Sequence, residues 1–313
     1  KKTADMWITI TRDARLHSPA LEKALADGIT STGANVINLG LAPTPIGYYS
    51  EVVGVEGYDV IAAAIITASH NPKEYNGLKM TFNKRTLTEQ QIKEVRDTTF
   101  KNWSSHPEAI AEVSQEDSSH TLRMTGKVAE VNIIPNYIKD MENRFGKIGE
   151  GVKVVVDSAN ATGGVVGPEL YKKLGCEVIE LFSEPDGNFP NHHPNPSVEK
   201  TLDTLKEVVL KEHADVGIAY DGDSDRIGII DTEGRFLTGD KLLLIYAQDL
   251  IEACKDKNIH PTVVSEVKCS QVLFDTIDKL GGHSVMCKTG HGYIKDKMKE
   301  TGALLAGEMS GHT

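Results

Sequence analysis

The 313-residue sequence is poor in cysteine and aromatic residues, and its basic residues form no cluster. Its cysteines lack the C-x-x-C spacing of zinc and redox sites, and free thiols favour a reducing cytoplasm. No apolar run approaches the roughly 20 residues that span a membrane, and the first residues lack the apolar segment of a signal peptide. Because the net charge is −11 and Lys and Arg are scattered, we expect no nucleic-acid partner. The sequence leaves the oligomeric state open. The four cysteines are Cys176, Cys254, Cys269 and Cys287.

Strand and helix patterns alternate along the chain, which predicts successive doubly wound α/β domains. The continuous apolar run at residues 60–66 fits a strand covered on both faces, as in a parallel sheet. Ser18 and Pro19 predict a helix start, with Ser18 as its N-cap. Residues 88–91 predict a capping box at the start of another helix.

Two changes in pattern divide the chain. The stretch from Trp103 to Gly126 is polar and aperiodic, and a second change lies near Gly234. We therefore expect three domains, at residues 1–126, 127–234 and 235–313.

The most informative residues lie in three loops that follow predicted strands. These loops are TASHNP at 67–72, DGDSDR at 221–226 and GEMSGH at 307–312. Ligands of open α/β sheets bind outside the carboxyl ends of the strands. We therefore expect the three loops to face one cleft and to form one site.

The aspartate loop carries the clearest chemical signal. Asp221, Asp223 and Asp225 alternate, so they offer three hard oxygen ligands on one side of an extended segment. An EF-hand would need glycine where Arg226 stands and glutamate where Thr232 stands. A solvated acidic turn is the plain alternative. Three carboxylates between apolar strands need a cation, however, and Mg²⁺ suits them better.

The other two loops are less specific alone. An isolated Ser-His pair more often has a structural role, but Ser69 stands beside His70 with Lys79 nearby, which suits a hydroxyl that carries phosphate. In the third loop, Glu308 is able to accept sugar hydroxyls, with Ser310 and His312 beside it. A polar turn without ligand is equally compatible with that third motif. His312 is thus a candidate both for catalysis and for substrate binding.

Taken in order, the three loops resemble those of the α-D-phosphohexomutase family. TASHNP resembles the family's phosphoserine loop, DGDSDR its magnesium loop and GEMSGH its sugar-specificity loop. Further similar segments are residues 76–79, 187–194 and 288–291. The stretch 288–312 is especially similar to the bacterial bifunctional phosphomannomutase/phosphoglucomutase branch.

The resemblance implies a function. Phosphorylated Ser69 would exchange its phosphoryl group with hexose 1-phosphate or 6-phosphate, of mannose or glucose, through hexose 1,6-bisphosphate. Ser69 and the three aspartates would hold Mg²⁺, and small sugar phosphates would be the partners. The remaining implied residues are His70, Lys79, Arg226 and His312 for catalysis and Lys268, His291, Glu308, Ser310 and His312 for substrate binding.

Two departures from the family pattern accompany the resemblance. Ser224 replaces a more usual glycine, which is tolerable if its φ is negative. The chain also lacks a preceding strand with an arginine loop, part of the third domain and the whole fourth, so we expect a truncated chain with little activity of its own. Phosphoglucosamine mutase, a phosphatase and a non-catalytic sugar-phosphate-binding fragment are the alternatives.

Overall fold

The computed structural model describes residues 6–105 and 126–313. The first five residues and most of the predicted aperiodic stretch, residues 106–125, lie outside the described residues. Within the described part, the strands form three sheets of six, five and three strands. Helices accompany each sheet, so the chain consists of successive α/β/α units.

The first sheet is mixed. Its strands are β1 (Trp7–Arg12), β2 (Asn35–Leu41), β3 (Val60–Ile66), β4 (Leu78–Phe82), β5 (Arg85–Thr86) and β6 (Val128–Glu130). Their order is β5-β4-β3-β1-β2-β6. The predicted strand at 60–66 is confirmed, but only its β1 side is parallel, because β4 pairs with β3 antiparallel. That antiparallel return carries Lys79 back toward the end of β3.

The second sheet holds the aspartate loop at its strand ends. Its strands are β7 (Lys153–Asp157), β8 (Glu177–Leu181), β9 (Val216–Tyr220), β10 (Ile227–Ile230) and β11 (Phe236–Leu237), in the order β11-β10-β9-β7-β8. β7 lies parallel to β8 and β9, whereas β10 is antiparallel to β9. The aspartate loop therefore connects the two strands of a hairpin.

The third sheet is parallel among the described strands. It consists of β12 (Thr262–Glu266), β13 (His283–Cys287) and β14 (Leu305–Gly307), in the order β13-β12-β14. β14 leads directly into the third loop. β6 and β11 belong to the first and second sheets although they lie just beyond the expected domain boundaries. The boundaries themselves stay predictions.

The described α-helices flank these sheets. They are α1 (Ser18–Ser31), α2 (Thr44–Val52), α3 (Glu89–Ser105), α4 (Ile134–Phe145), α5 (Gly167–Lys173), α6 (Asp203–Glu212), α7 (Gly239–Lys255), α8 (Gln271–Lys279) and α9 (His291–Thr301). None of them is long and apolar enough to cross a membrane.

The predicted helix starts have different outcomes. The capping box is confirmed, because Thr88 N–H donates to Gln91 Oε1 and Gln91 N–H donates to Thr88 Oγ1. The N-cap role of Ser18 is wrong. His17 occupies that position without a side-chain cap, and Ser18 Oγ instead donates to Asp13 Oδ1 at 2.7 Å.

Each sheet buries its own apolar cluster. In the second sheet, Val155, Leu205 and Val209 are fully buried, and α6 presents Leu205 and Val209 to β7 and β9. This spacing of four residues is what places both side chains on one helix face. Separate clusters lie against the first sheet, around Ile37, and the third sheet, around Leu243.

The segment 187–194 lies against the second sheet and is fixed by an ion pair. His192 Nε2 donates to Asp157 Oδ2 at 2.9 Å, and His192 Nδ1 donates to the carbonyl of His193 at 3.0 Å. Asp157 is fully buried. Because both ring nitrogens face acceptor oxygens, these contacts favour the protonated form of the imidazole. Burial lowers the pKa of His192, but the bonds to Asp157 outweigh it, so the pKa lies above its ordinary value.

Truncation of the second-sheet core should be costly. We expect Leu205→Ala to lower the free energy of opening of β7 and β9 by about 2–5 kcal/mol, because a buried cavity remains. Native-state hydrogen exchange on those strands measures it. Leu210→Ala, on the same helix but 42% exposed, is the control and should change it by at most about 0.5 kcal/mol. Equal effects of the two variants would contradict this account of the core.

The His192 pair should make the second sheet sensitive to pH. A raised pKa means that the pair contributes fully below the pKa of a free imidazole, about 6.5, and that this contribution is lost as pH rises through the folded pKa. An NMR titration of the His192 ring and the exchange rates of β7 amides check this. His192→Gln retains a donor for Asp157 but takes up no proton, so the pH dependence should vanish. A His192 midpoint below that of free imidazole would contradict the prediction.

Candidate functional site

The Ser69 loop begins where β3 ends. Ser69 N–H donates to Thr67 Oγ1 at 2.8 Å, and Asn71 N–H donates to Ala68 O at 2.9 Å. These bonds hold Ser69 in the left-handed region, with φ 52°, a conformation that costs a non-glycine residue about 1–3 kcal/mol. The side chain is buried, with 7% exposed. The loop is thus a strained and well-bonded turn.

The aspartate loop contacts the Ser69 loop directly. Ser69 Oγ donates to Asp221 Oδ2 at 2.6 Å, across 152 positions of sequence. A Cβ on Gly222 would lie 2.3 Å from the carbonyl oxygen of Ser69. Glycine is therefore required here for the close approach of two loops.

Ser224 lies in this loop at φ 59°, so the condition of a negative φ, under which serine was judged tolerable, is not met. Its N–H donates to the carbonyl of Asp221 at 3.1 Å, and its hydroxyl lies 3.0 Å from Thr162 Oγ1. These local bonds offset the strain that a glycine would avoid. Serine at this position thus leaves the loop conformation in place.

Lys79 and Arg226 contribute positive charge beside the aspartates. Lys79 Nζ donates to Asp223 Oδ2 at 2.5 Å and to Asp225 Oδ2 at 2.6 Å. Lys79 was expected to return toward the serine, whereas its ammonium group pairs with two carboxylates. Arg226 Nε lies 3.9 Å from Asp221 Oδ2.

Arg226 also joins the first loop to the third. Its Nη1 donates to His70 Nδ1 at 2.8 Å. His70 Nδ1 also lies 3.2 Å from Ser69 Oγ. Arg226 Nε lies 3.3 Å from His312 Nε2. Four residues expected in catalysis therefore form one connected group.

The third loop reaches the aspartates through His312. Its Nε2 donates to Asp225 Oδ1 at 3.0 Å and its Nδ1 donates to Glu308 Oε2 at 2.6 Å. Glu308 Oε1 accepts the N–H of Gly290 at 2.9 Å, and Ser310 Oγ lies 3.3 Å from His312 Nδ1. All three loops thus meet, as expected from their positions at strand ends.

The two remaining predicted residues lie near the third loop at different depths. His291 begins α9, and its ring centroid is 5.9 Å from that of His312. Lys268 is 55% exposed and its Nζ lies 3.5 Å from Glu266 Oε1. Glu266 is fully buried and accepts the N–H of Met309 at 3.0 Å. Lys268 is therefore linked to the third loop through Glu266.

Burial and neighbouring charges shift the pKa values of two aspartates of the site in opposite directions. Burial, together with Asp223 and Asp225, raises the pKa of Asp221 well above its ordinary value. Burial also acts to raise the pKa of Asp225, but His312 and Lys79 hold it well below the usual range. The loop thus contains one carboxylate that is hard to ionise and one that stays ionised.

The two histidines differ in the same way. Burial and the charge of Arg226 lower the pKa of His70 to about 4, so its ring is neutral and its Nδ1 accepts. Burial lowers the pKa of His312, but its bonds to Asp225 and Glu308 outweigh this and raise it to about 9. One histidine is a proton acceptor and the other is a cation at neutral pH.

The aspartates fit a hard divalent cation. A ligand oxygen from each of Asp221, Asp223 and Asp225 lies within 4.8 Å of the others. Asp223 Oδ1 is buried and has no hydrogen-bond partner among the described residues. A cation would supply the missing partner for this oxygen, and carboxylate oxygens are the ligands that Mg²⁺ and Ca²⁺ prefer.

Sequence reasoning missed three residues at this site. Thr44, at the start of α2, donates its N–H to the carbonyl of Asp223 at 2.8 Å, and its hydroxyl bonds Asp223 Oδ2. Tyr48 lies one turn later beside a cavity of about 980 Å³ that reaches Lys79 and His291. Arg15, which is fully buried, contacts the Ser69 loop. An Asp-x-Arg pattern just after β1 was the available signal for Arg15, whereas Thr44 carried none.

Models of known protein families match most of this chain. Three family models describe phosphoglucomutase/phosphomannomutase α/β/α domains, and they match residues 1–105 for domain I, 135–234 for domain II and 238–313 for domain III.

Three of the similar individual proteins come from bacteria. The chain is 40% identical over 305 residues to a phosphomannomutase/phosphoglucomutase of Pseudomonas aeruginosa, covering 97% of the chain and 60% of that protein. It is 37% identical to a phosphoglucomutase of Neisseria gonorrhoeae, covering 97% and 61%. A crystal structure of a phosphoglucomutase/phosphomannomutase family protein from Burkholderia thailandensis superposes with a TM-score of 0.81 at 33% identity, covering 98% of the chain and 63% of that structure. The chain spans about 60% of the length of the curated relatives it matches. With its three matched domains and its sequence identity to these enzymes, the chain belongs to the α-D-phosphohexomutase family.

Proposed function

We propose that the protein interconverts hexose 1-phosphate and hexose 6-phosphate, of mannose, glucose or both, through phosphorylated Ser69. A hexose 1,6-bisphosphate is the intermediate. The observation that carries the proposal is the 2.6 Å contact between Ser69 Oγ and Asp221 Oδ2. It joins a hydroxyl to a cluster of three carboxylates from another sheet, the arrangement that phosphoryl transfer needs.

Asp221, Asp223 and Asp225 would hold Mg²⁺ together with a phosphate oxygen on Ser69. The buried Oδ1 of Asp223, which has no hydrogen-bond partner within residues 6–105 and 126–313, supports this assignment. When bound, Mg²⁺ neutralises negative charge on the transferring phosphoryl group. Arg226, which lies beside His70 and the aspartates, would contact the phosphoryl oxygens through its guanidinium group.

In the transfer itself, the bond from phosphorus to Ser69 Oγ breaks and a bond to the sugar hydroxyl oxygen forms. The hydroxyl proton then needs an acceptor. His70 Nδ1 is 3.2 Å from Ser69 Oγ and is unprotonated at neutral pH, so it would take that proton when the bond that Arg226 Nη1 donates to it is released. Lys79 is partly desolvated, but Asp223 and Asp225 raise its pKa, so it stays charged and serves as a fixed cation.

The third loop would bind the sugar. Glu308 uses one bond per carboxylate oxygen, to Gly290 and to His312, which leaves acceptor capacity for two sugar hydroxyls. Glu308 and Ser310 would contact the 3- and 4-hydroxyls, which have the same arrangement in glucose and mannose. His312, Lys268 and His291 would contact the phosphate and the remaining hydroxyls. Tolerance at C2 follows from this arrangement.

The alternatives differ in chemistry. A phosphoglucosamine mutase would share the Gly-Glu and Ser-Gly-His elements of the third loop, whereas Met309 and the wider match at 288–312 favour mannose and glucose. A non-catalytic relative would be expected to lack Ser69 or an aspartate, and all four residues are present. Hydrolysis of the phosphoserine would require water in the cleft.

The four cysteines are free thiols, which supports a cytoplasmic protein.

The metal assignment predicts a change in Mg²⁺ affinity. We expect Asp223→Asn to weaken Mg²⁺ binding at least about tenfold, or about 1.4 kcal/mol, because it removes one ligand charge. Isothermal titration calorimetry measures it. Asp231→Asn, an aspartate in the adjoining β10–β11 hairpin that pairs with Arg235, is the control and should leave the affinity unchanged. Equal affinities of Asp223→Asn and the unaltered chain would overturn the assignment.

The phosphoserine assignment predicts covalent labelling at one position. After incubation with glucose 1,6-bisphosphate and Mg²⁺, we expect the intact mass of the chain to rise by one phosphoryl group, located on Ser69. Ser69→Ala should abolish the increase, whereas Ser197→Ala, at an exposed loop serine, should not. Turnover of mannose 1-phosphate, glucose 1-phosphate and glucosamine 1-phosphate by the full-length protein then assigns the sugar. Labelling of Ser69→Ala at the original rate would rule out the phosphoserine mechanism.

A further inference from the structure

Arg15 lies just beyond the end of β1 and uses every N–H group of its guanidinium. The side chain is 0% exposed. Its Nε donates to Asp13 Oδ2 at 2.9 Å, and its two terminal nitrogens donate to four backbone carbonyls at 2.6–3.1 Å. A guanidinium has five N–H donors in a fixed planar arrangement, and here all five are used.

The four carbonyl acceptors all belong to the loop that carries Ser69. They are the carbonyl oxygens of Ser69, Asn71, Pro72 and Tyr75. The loop therefore wraps around one buried cation, and one of its bonds goes to the carbonyl of Ser69 itself. This contact fixes the peptide that follows the left-handed Ser69, whose conformation is strained without such support.

A second set of bonds holds Arg15 in place from the other side. Arg15 N–H donates to Asp13 Oδ1 at 3.1 Å, and Ser18 Oγ donates to the same oxygen at 2.7 Å. Asn76 Nδ2 in turn donates to Ser18 Oγ at 2.8 Å. A continuous chain of hydrogen bonds thus runs from the Ser69 carbonyl through Arg15, Asp13 and Ser18 to Asn76.

The segment 187–194, which lies against the second sheet, also contacts Arg15 and its neighbour Ala14. The Arg15 guanidinium carbon lies 5.5 Å from the centroid of the Phe189 ring, within cation–π range. A Cβ on Gly187 would lie 2.4 Å from the carbonyl oxygen of Ala14. The segment therefore places the Phe189 ring against the Arg15 guanidinium and has a glycine where its backbone passes close to Ala14.

We propose that Arg15 is the positioning residue for Ser69. Arg15 touches no reacting atom. It acts by holding four carbonyls of the loop, so the hydroxyl of Ser69 is presented toward Asp221 in one orientation. This role rests on the proposed function only in taking Ser69 as the phosphoryl carrier.

Lysine is the informative substitution because it keeps the charge but has three donors. In Arg15→Lys, at least two of the five acceptors lose their partner. We expect amides of residues 67–77 to exchange at least about tenfold faster in hydrogen-exchange mass spectrometry, while β1 and β3 keep their protection. Arg12→Lys is the matched control. Arg12 pairs with Glu22 at 2.9 Å and donates nothing to the loop, so exchange there should be unchanged.

The catalytic consequence is measured separately. With Arg15→Lys, we expect the maximal rate of phosphoryl uptake from glucose 1,6-bisphosphate to fall at least about tenfold, while the half-saturating concentration and the Mg²⁺ affinity stay within about twofold. Ser18→Ala removes two hydrogen bonds of this network, so it should also accelerate amide exchange at 67–77 and slow phosphoryl uptake, by smaller factors than Arg15→Lys. If Arg15→Lys does not fold, Ser18→Ala provides the test.

The outcomes separate this inference from the proposed function. Unchanged amide exchange at residues 67–77 in Arg15→Lys would overturn the positioning role. Equally accelerated exchange in β1 and β3 would also overturn it, because Arg15 would then stabilise the whole sheet and not the loop in particular. If the unaltered chain takes up no phosphoryl group, the proposed function fails, whereas the exchange result still decides whether Arg15 fixes the loop.

Discussion

Three carboxylates in one buried loop constrain the rest of this structure. Asp221 and Asp223 are almost fully buried, and like charges repel strongly where water is excluded. The compensating cations come from three different sheets: Lys79 from the first, Arg226 from the second and His312 from the third. The same contacts therefore balance charge and hold the domains together at the site. A metal ion at the aspartates would therefore bind where side chains from all three sheets already compensate negative charge.

Much of the fold was predictable, because it depends on contiguous residues. The apolar run at 60–66 is a strand with the expected bounds, and the capping box at 88–91 forms as its sequence indicates. The three loops were found for the same reason. Each directly follows a strand, and strand ends are where α/β sheets place their ligands. The meeting of these loops then follows from the arrangement of the sheets.

The features that the sequence did not reveal depend on distant partners. Ser18 has the residue type of an N-cap, but Asp13 and Asn76 take up its hydroxyl instead. Lys79 was expected to return toward the serine because they are near in sequence, whereas its partners lie about 145 positions later. Arginine is usually found at the surface, and the four loop carbonyls together with the carboxylate of Asp13 explain why Arg15 is buried. No local pattern encodes such a set of acceptors.

The sequence distance between Ser69 and Asp221 also has a consequence during synthesis on the ribosome. At about 5–20 residues per second, the 152 positions between them take about 8–30 s to translate. Arg15 and all its loop acceptors lie in the first 76 residues, so the serine turn has its internal bonds early. Its acidic partners, and the segment that contacts Arg15, emerge later. A nascent chain thus presents a shaped serine turn to solvent before it possesses the groups that would use it.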